Sequence, residues 1–277
     1  MSVAAATYWS QRSVTGYAPN WYSLCADEIT HRVTGQTAVS LTNFLVRKHA
    51  PPHPDNLLEI GCLNGRKVAN MRGLAKHLHG IDIAADAIAD GQTKYPNVTL
   101  GVVDLNAPHD LGARFDVILS NGVLHHIENL EAAADWIVDH LTPRGVLLAS
   151  EYVGPVRYKY SRAEIDAIND AVRMLPAELQ HEFHPRQLAN KLAHDPSESV
   201  RSRDIIDTLR AAGLRVEIMP YGGNVAMRAL GPHFFKHFDP GNSNHVDGLA
   251  GVVAADWTAM QRFPSHHAAF VARRHIS

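Results

Sequence analysis

Between Leu57 and Tyr152, short apolar runs alternate with longer helix-like stretches, and that alternation leaves few architectures open. Leu57-Leu58-Glu59-Ile60 ends at Gly61 and leads into a stretch, Arg66 to His77, expected to be helical. His79-Gly80-Ile81-Asp82-Ile83 reads as a second strand, followed by an Ala-rich helix through Lys94. Val98 to Val103 is a third strand and Phe115 to Ser120 a fourth, with Leu130 to Leu141 the helix after it. Arg144 to Tyr152 makes a fifth, entered through the turn Thr142-Pro143-Arg144-Gly145. Strands that alternate with helices of about ten or more residues make parallel crossover units. The expected core is a parallel sheet covered by helices on both faces.

The flanks differ. Residues 1–50 are expected to form an N-terminal helical cap, in which Gln36 to Lys48 sets Leu41, Phe44, Leu45 and Lys48 at helical spacing. Ala50-Pro-Pro-His-Pro-Asp55 cannot be helix interior and reads as the linker into a main domain at 51–277. Beyond the fifth strand, Ser161-x-x-Glu164 is a capping box that opens a helix bearing Ile165, Ile168, Val172 and Leu175 on one face. Arg203 to Ala212 is a helix closed by Gly213. Val216 to Met219 is a sixth strand and Ala268 to Ala272 a last one, with an irregular Gly/His/Asp-rich stretch between them. Stretches at about 155–200 and 222–265 are expected to be lid insertions.

Composition narrows the partners. The 277 residues are 45% hydrophobic and 19% charged, which suits a globular domain rather than a disordered chain. A net charge of −2 without a Lys/Arg block argues against a nucleic-acid partner. Cys25 and Cys62 form neither a disulfide framework nor a zinc-finger spacing. Met1 to Thr7 lacks a basic n-region, and no apolar run reaches the ~18 residues a membrane span needs, so the expected location is the cytoplasm.

The glycine turn after the first strand is the first functional signal. Gly61 and Gly65 remove side chains where a ligand could lie against backbone. A dinucleotide G-x-G-x-x-G fingerprint would need glycine at 63 and 66, where Leu63 and Arg66 stand. Asp82 then ends the second strand, about 20 residues on, where a carboxylate can hold a ribose diol. Asp104 ends the third strand, and Asn121 ends the fourth. Ligands of open α/β sheets sit at the carboxyl ends of strands, so these positions can line one crevice.

Taken in order, these motifs resemble those of class I S-adenosylmethionine (SAM)-dependent methyltransferases over roughly residues 50–220. The match lies in the E-x-G-x-x-x-G turn from Glu59, in Gly80-Ile81-Asp82, in Asp104-Leu105 and in Phe115-Asp116-Val117-Ile118. It continues through Gly122-Val123-Leu124-His125-His126 and Leu141 to Gly145. The resemblance implies a seven-stranded Rossmann-like sheet whose final strand is antiparallel, and SAM as cofactor. It implies that Glu59, Gly61, Cys62 and Gly65 cradle the methionine part. It further implies Asp82 with Ile83 at the ribose, Asp104 with Leu105 at the adenine, and Asn121 in the same crevice. One departure stands out: Leu63 occupies the place of the family's usual middle glycine.

Methyl transfer demands alignment of an acceptor, and a base where the acceptor must lose a proton. His125 and His126, at the rim after the fourth strand, are the candidate bases; the alternative is that they hold the turn. Tyr152, with Glu151 and Tyr158, follows the fifth strand, where the acceptor is expected to approach. Tyr221 to Asn224 could form a second rim loop, and Arg201 and Arg203 are expected to be solvated helix-end charges. Tyr8-Trp9 and Trp21-Tyr22 either cover the cofactor or pack the N-terminal layer. His181-x-x-His184 and His233-x-x-x-His237, near Asp239, have ligand-like spacing, yet no metal is expected.

The expected activity is methylation of a small molecule, on a hydroxyl of a sugar, lipid or secondary metabolite. Alternatives are a nucleic-acid methyltransferase and a SAM-binding protein that transfers nothing. Ser120-Asn121-Gly122-Val123 lacks the Asn/Asp-Pro-Pro-aromatic motif of base-amine methyltransferases, which weighs against the first. The expected partners are the acceptor and a second copy of the chain, with no membrane.

Overall fold

The computed structural model describes residues 20–37 and 39–275; Tyr8 and Trp9 lie outside them. Helices α1 (Trp21–Leu24), α2 (Ala26–Thr34) and α3 (Leu41–His49) precede the sheet. α3 starts at Leu41 rather than Gln36, because Ser40 caps it by accepting from the Asn43 N–H. The linker then runs into β1 (Asn56–Ile60), as expected.

The helix expected from Arg66 to His77 is only the single turn α4 (Arg66–Ala69), a correction with a local cause. Asn70 closes the turn, and Gly73 at φ +84° turns the chain away. The Lys76 and His77 N–H groups then bond the Pro54 and Asp55 carbonyls, which starts β2 (His77–Asp82) early. Next come α5 (Ala85–Lys94), β3 (Val98–Val102), β4 (Phe115–Asn121), α6 (Leu130–His140) and β5 (Leu141–Tyr152). The expected turn at 142–145 is instead part of β5, which pairs Leu141 with Phe115 and resumes at Val146 opposite Val117 across a bulge.

The capping box at Ser161 forms as expected and opens α7 (Arg162–Val172). Short α8 (Ala189–His194) and α9 (Ile205–Ala211) lead to β6 (Leu214–Gly222). The stretch expected to be irregular is mostly helical: α10 (Ala226–Ala229), α11 (Pro232–His237) and the long α12 (Ser243–Ala259). Small residues in α12, among them Gly248 against Leu175 and Pro176, let it pack closely, and they gave no amphipathic stripe to read. β7 (His267–Arg274) closes the chain.

The seven strands form one sheet in the order β3-β2-β1-β4-β5-β7-β6. β1 pairs in parallel with both β2 and β4, while β7 runs antiparallel to β5 and β6. Alternate residues feed two cores. On β4, Val117 and Leu119 join the cluster on one face and Ile118 the cluster on the other, where the bulge between Phe115 and Val117 also puts Phe115. The strand order reverses between β1 and β4, so their carboxyl ends diverge into a crevice. Among the described residues, no helix is long and apolar enough to cross a membrane.

Candidate active site

The crevice is a cleft open to solvent, with about 590 Å³ of empty space counted out into its mouth. Its floor is the turn after β1. Gly61, Leu63 and Gly65 all have positive φ, at +65°, +50° and +75°. A Cβ on Gly61 would lie 2.3 Å from Val123 Cγ2, so only glycine fits there. Leu63 takes the left-handed backbone that glycine would adopt freely, at a cost of roughly 1–2 kcal/mol. Its N–H donates to Asp82 Oδ2 at 2.8 Å, which offsets that cost. The other oxygen, Asp82 Oδ1, accepts from the Ala84 N–H at 2.9 Å. Asp82 therefore ties the glycine turn to the start of α5, and burial pushes its carboxyl up from the usual value.

Of the residues singled out as cofactor-binding, Gly61, Asp82, Ile83, Leu105 and Asn121 line this cleft. Cys62, Gly65 and Asp104 do not: Cys62 packs on Gly80, Gly65 on Leu100, and Asp104 accepts from the Asn106 backbone and side chain. Glu59 lies buried below the turn. Its Oε2 and the Asn121 Nδ2 are both sealed from water and face each other rather than solvent. Burial lifts the Glu59 carboxyl to about 7, against the opposing pull of Lys67 and of the nearby Asn121 amide. The apolar walls Ile81, Val103, Val123 and Ile127 went unread in the sequence, since buried strand-end aliphatics look like any core.

The two histidines sit in a 3-10 turn after β4 (Leu124–His126) and have opposite surroundings. Glu151 Oε1 accepts from Ser120 Oγ and from the Val123 and Leu124 N–H groups, which fixes the turn. Glu151 Oε2 takes His125 Nδ1 at 2.9 Å, and His125 Nε2 lies 3.5 Å from Glu198 Oε1. Burial opposes charge on His125, but hydrogen bonds to the two carboxylates win and lift it to about 9. Both ring nitrogens of His125 thus face carboxylates.

His126 lines the cleft instead. Burial and then the His125 charge hold its ring neutral, at about 3. Its Nδ1 meets Ser197 Oγ at 3.1 Å, and Ser197 Oγ donates to Asp195 Oδ1. The Tyr152 hydroxyl donates to the Pro155 carbonyl, and burial pushes its pKa up. Asp195, Ser197 and Glu198 were missed altogether. They come from the stretch expected to be a lid, and nothing local in Asp195-Pro-Ser-Glu marks them.

Elsewhere, Trp21 packs on Tyr221 and His267, so that pair serves the core. Arg201 pairs with Glu131 and Asp204. His181 stacks on His233, whose ring lies 4.7 Å from His237. Among the described residues, the group that brings three ligand-type atoms within 4.8 Å is another one, His125, His126 and Glu198. Glu198 there already accepts from Lys191 and Tyr158.

The comparisons agree with this geometry. Residues 30–217 match the family model of the methyltransferase domain. An uncharacterized methyltransferase of Mycobacterium tuberculosis is 29% identical over 101 residues, 36% of this chain and 51% of the relative. The chain thus spans about half the length of that relative. The ubiquinone biosynthesis O-methyltransferase of Paraburkholderia phytofirmans is 27% identical over 197 residues, 69% of this chain and 76% of that one. Among solved structures, the complex between the Haloferax volcanii Trm112 methyltransferase activator and a methyltransferase matches with a TM-score of 0.54 at 12% identity. That match covers 100% of this chain and 99% of the other, and it speaks for the fold alone. With its strand order, its antiparallel β7 and a family match over most of its length, the chain belongs to the methyltransferase domain family, of the class I SAM-dependent kind.

Proposed function

We propose that the cleft binds SAM and that the protein transfers its methyl group to a small-molecule acceptor, on a hydroxyl. The observation that carries this reading is the cleft itself: Gly61, Asp82 and Asn121 line it at the carboxyl ends of β1, β2 and β4, over a glycine turn that a Cβ would fill. Glu59, buried under the turn and hydrogen-bonded by the Asn121 amide, puts a carboxylate where the ammonium of a bound amino-acid moiety would be drawn. Asp82 faces the cleft with lone pairs beyond its two backbone bonds, which suits a ribose diol. Ile83, Val103 and Leu105 offer an apolar slot for a base.

SAM would supply an electrophilic methyl on sulfonium. The chain's own contribution is alignment. Glu151 and His125 fix the turn that carries His126, and His126 presents a neutral ring to the acceptor side. A ring held near 3 is a weak proton acceptor, so orientation of the acceptor outweighs base strength here. Replacing His126 by Asn is expected to lower turnover while leaving cofactor affinity within a few-fold.

Calorimetry with S-adenosylhomocysteine (SAH), SAM and NAD tests the reading. SAM and SAH are expected to bind and NAD is not. Glu59→Ala is expected to weaken SAH by about tenfold or more, the scale of one lost charge-assisted hydrogen bond. NAD binding in the absence of SAM binding would overturn the assignment. Release of SAH on addition of hydroxylated acceptors then tests the transfer itself.

A further inference from the structure

We propose that Arg228 forms an oxyanion subsite for the acceptor, receiving a carboxylate or phosphate group that the acceptor carries. The proposal rests on the methyltransferase reading of the cleft and adds to it the acceptor's charge.

Arg228 stands on α10, just after the Gly222-Gly223 turn at the carboxyl end of β6. Its guanidinium carbon lies 4.1 Å from the centre of the Tyr158 ring and 5.5 Å from that of Tyr160. Nε donates to the Tyr160 hydroxyl at 2.8 Å. Nη2 is sealed from water and has no partner. Arginine cannot shed its charge to escape such a position.

Three other cations of this layer are matched. Lys191 pairs with Glu198, His125 lies between Glu151 and Glu198, and Arg32 pairs with Asp256. Among the described residues Arg228 forms no ion pair with a carboxylate; its ring contacts are Tyr158 and Tyr160, and its charge and that of Lys191 repel. Aromatic faces attract a guanidinium, yet they leave the in-plane N–H donors unused. Those donors form the planar fork that matches a carboxylate or a phosphate. Tyr158 is itself held in place at a conformational cost, with Arg157 and Tyr158 both left-handed at φ 52° and 54°.

The position suits an acceptor rather than the cofactor. Tyr158 packs on Tyr152 at 5.1 Å, Tyr152 on His125 at 6.0 Å, and His125 on His126 of the cleft wall at 4.2 Å. Asp82 and Leu105, which suit ribose and base, lie at the end of β2 and after β3, on the opposite half of the sheet. An anion at Arg228 would therefore leave the cofactor's groups untouched.

Calorimetry on the full chain tests this with three probes: benzoate, phenyl phosphate and neutral benzamide, each with and without saturating SAH. At least one anion is expected to bind with SAH in place, at least tenfold more tightly than benzamide. Tighter benzoate assigns a carboxylate to the acceptor, and tighter phenyl phosphate a phosphate. Arg228→Gln is expected to weaken the anion at least tenfold with SAH affinity within threefold, and Arg228→Lys to retain part of the binding. Should Arg228→Gln fail to fold, Arg228→Lys and the wild-type preference for anions over benzamide decide the matter. Anions that bind no better than benzamide, or equally well to folded Arg228→Gln, would overturn the proposal. Anion binding without any SAH binding would leave the subsite standing and remove the methyl-transfer reading instead.

Discussion

Asp82 has two tasks at once, and they can be separated by measurement. Its oxygens accept from Leu63 and Ala84, so they hold a strained turn, and its remaining lone pairs face the cleft. Asp82→Ala is expected to weaken SAH by roughly 1–3 kcal/mol and also to lower unfolding stability by about 1–2 kcal/mol, since two buried N–H groups lose their acceptor. A stability loss with unchanged SAH affinity would reduce Asp82 to a turn clamp. His125 makes a pH-dependent contribution. Its folded value is raised to about 9, so the stabilisation is full below the unfolded value near 6.5 and is lost as pH rises through about 9. His125→Gln is expected to remove that alkaline slope, measured as unfolding free energy from pH 6 to 10, and to cost several kcal/mol at neutral pH by stranding two carboxylates. The sequence made Asp82 legible because a carboxylate at a strand end stands out by type and spacing. It could not separate His125 from His126, because neighbours in one turn differ only in which way they point. That direction was set by Glu198, which is 73 and 72 positions away in the chain respectively.

Elements carry the site through close approach. Gly91, in the middle of α5, would direct a Cβ to 2.3 Å from the Asn64 carbonyl oxygen and 2.7 Å from Leu100 Cδ1. In an isolated helix Gly91→Ala would gain roughly 1 kcal/mol, from propensity alone. Here the backbone contact wins, because overpacking against a rigid carbonyl costs about 1–3 kcal/mol and shifts the helix away from the glycine turn. The variant is expected to be less stable in urea and to bind SAH more weakly; a variant more stable than wild type would mean that α5 shifts freely. β1 to β5 and α5 and α6 were readable from periodicity, since each places apolar residues on a face that must be buried. α4 was overestimated, because apolar spacing continued past the Gly73 turn. α12 was invisible for the opposite reason: its glycines and alanines look like loop composition until neighbouring helices show what they pack against.

At the scale of the molecule, Asp256 joins segments that the chain order keeps apart. From the last turns of α12, its Oδ1 accepts the Val225 and Ala226 N–H groups, and its Oδ2 accepts the Gly223 N–H and Arg32 Nη1. One buried carboxylate thus caps α10, closes the turn after β6 and anchors the N-terminal α2. Arg32 also bonds the Tyr221 and Val253 carbonyls, so the pair ties the N-terminal helices to the β6 end of the sheet. Asp256→Ala leaves three N–H groups without an acceptor and the Arg32 guanidinium with Glu28 as its remaining carboxylate, a loss of about 3–5 kcal/mol on the scale of unsatisfied buried donors. At this chain length that corresponds to a fall in Tm on the order of 10 °C. Because the two residues share one interaction, the double variant Asp256→Ala with Arg32→Met is expected to lose less than the sum of the single variants. α10 also carries Arg228, so anion binding should fall in Asp256→Ala while SAH, held at the other half of the sheet, should bind within a few-fold of wild type. A parallel loss of SAH would mean that the two halves of the cleft move as one body, and a Tm shift under about 2 °C would mean that water replaces the carboxylate.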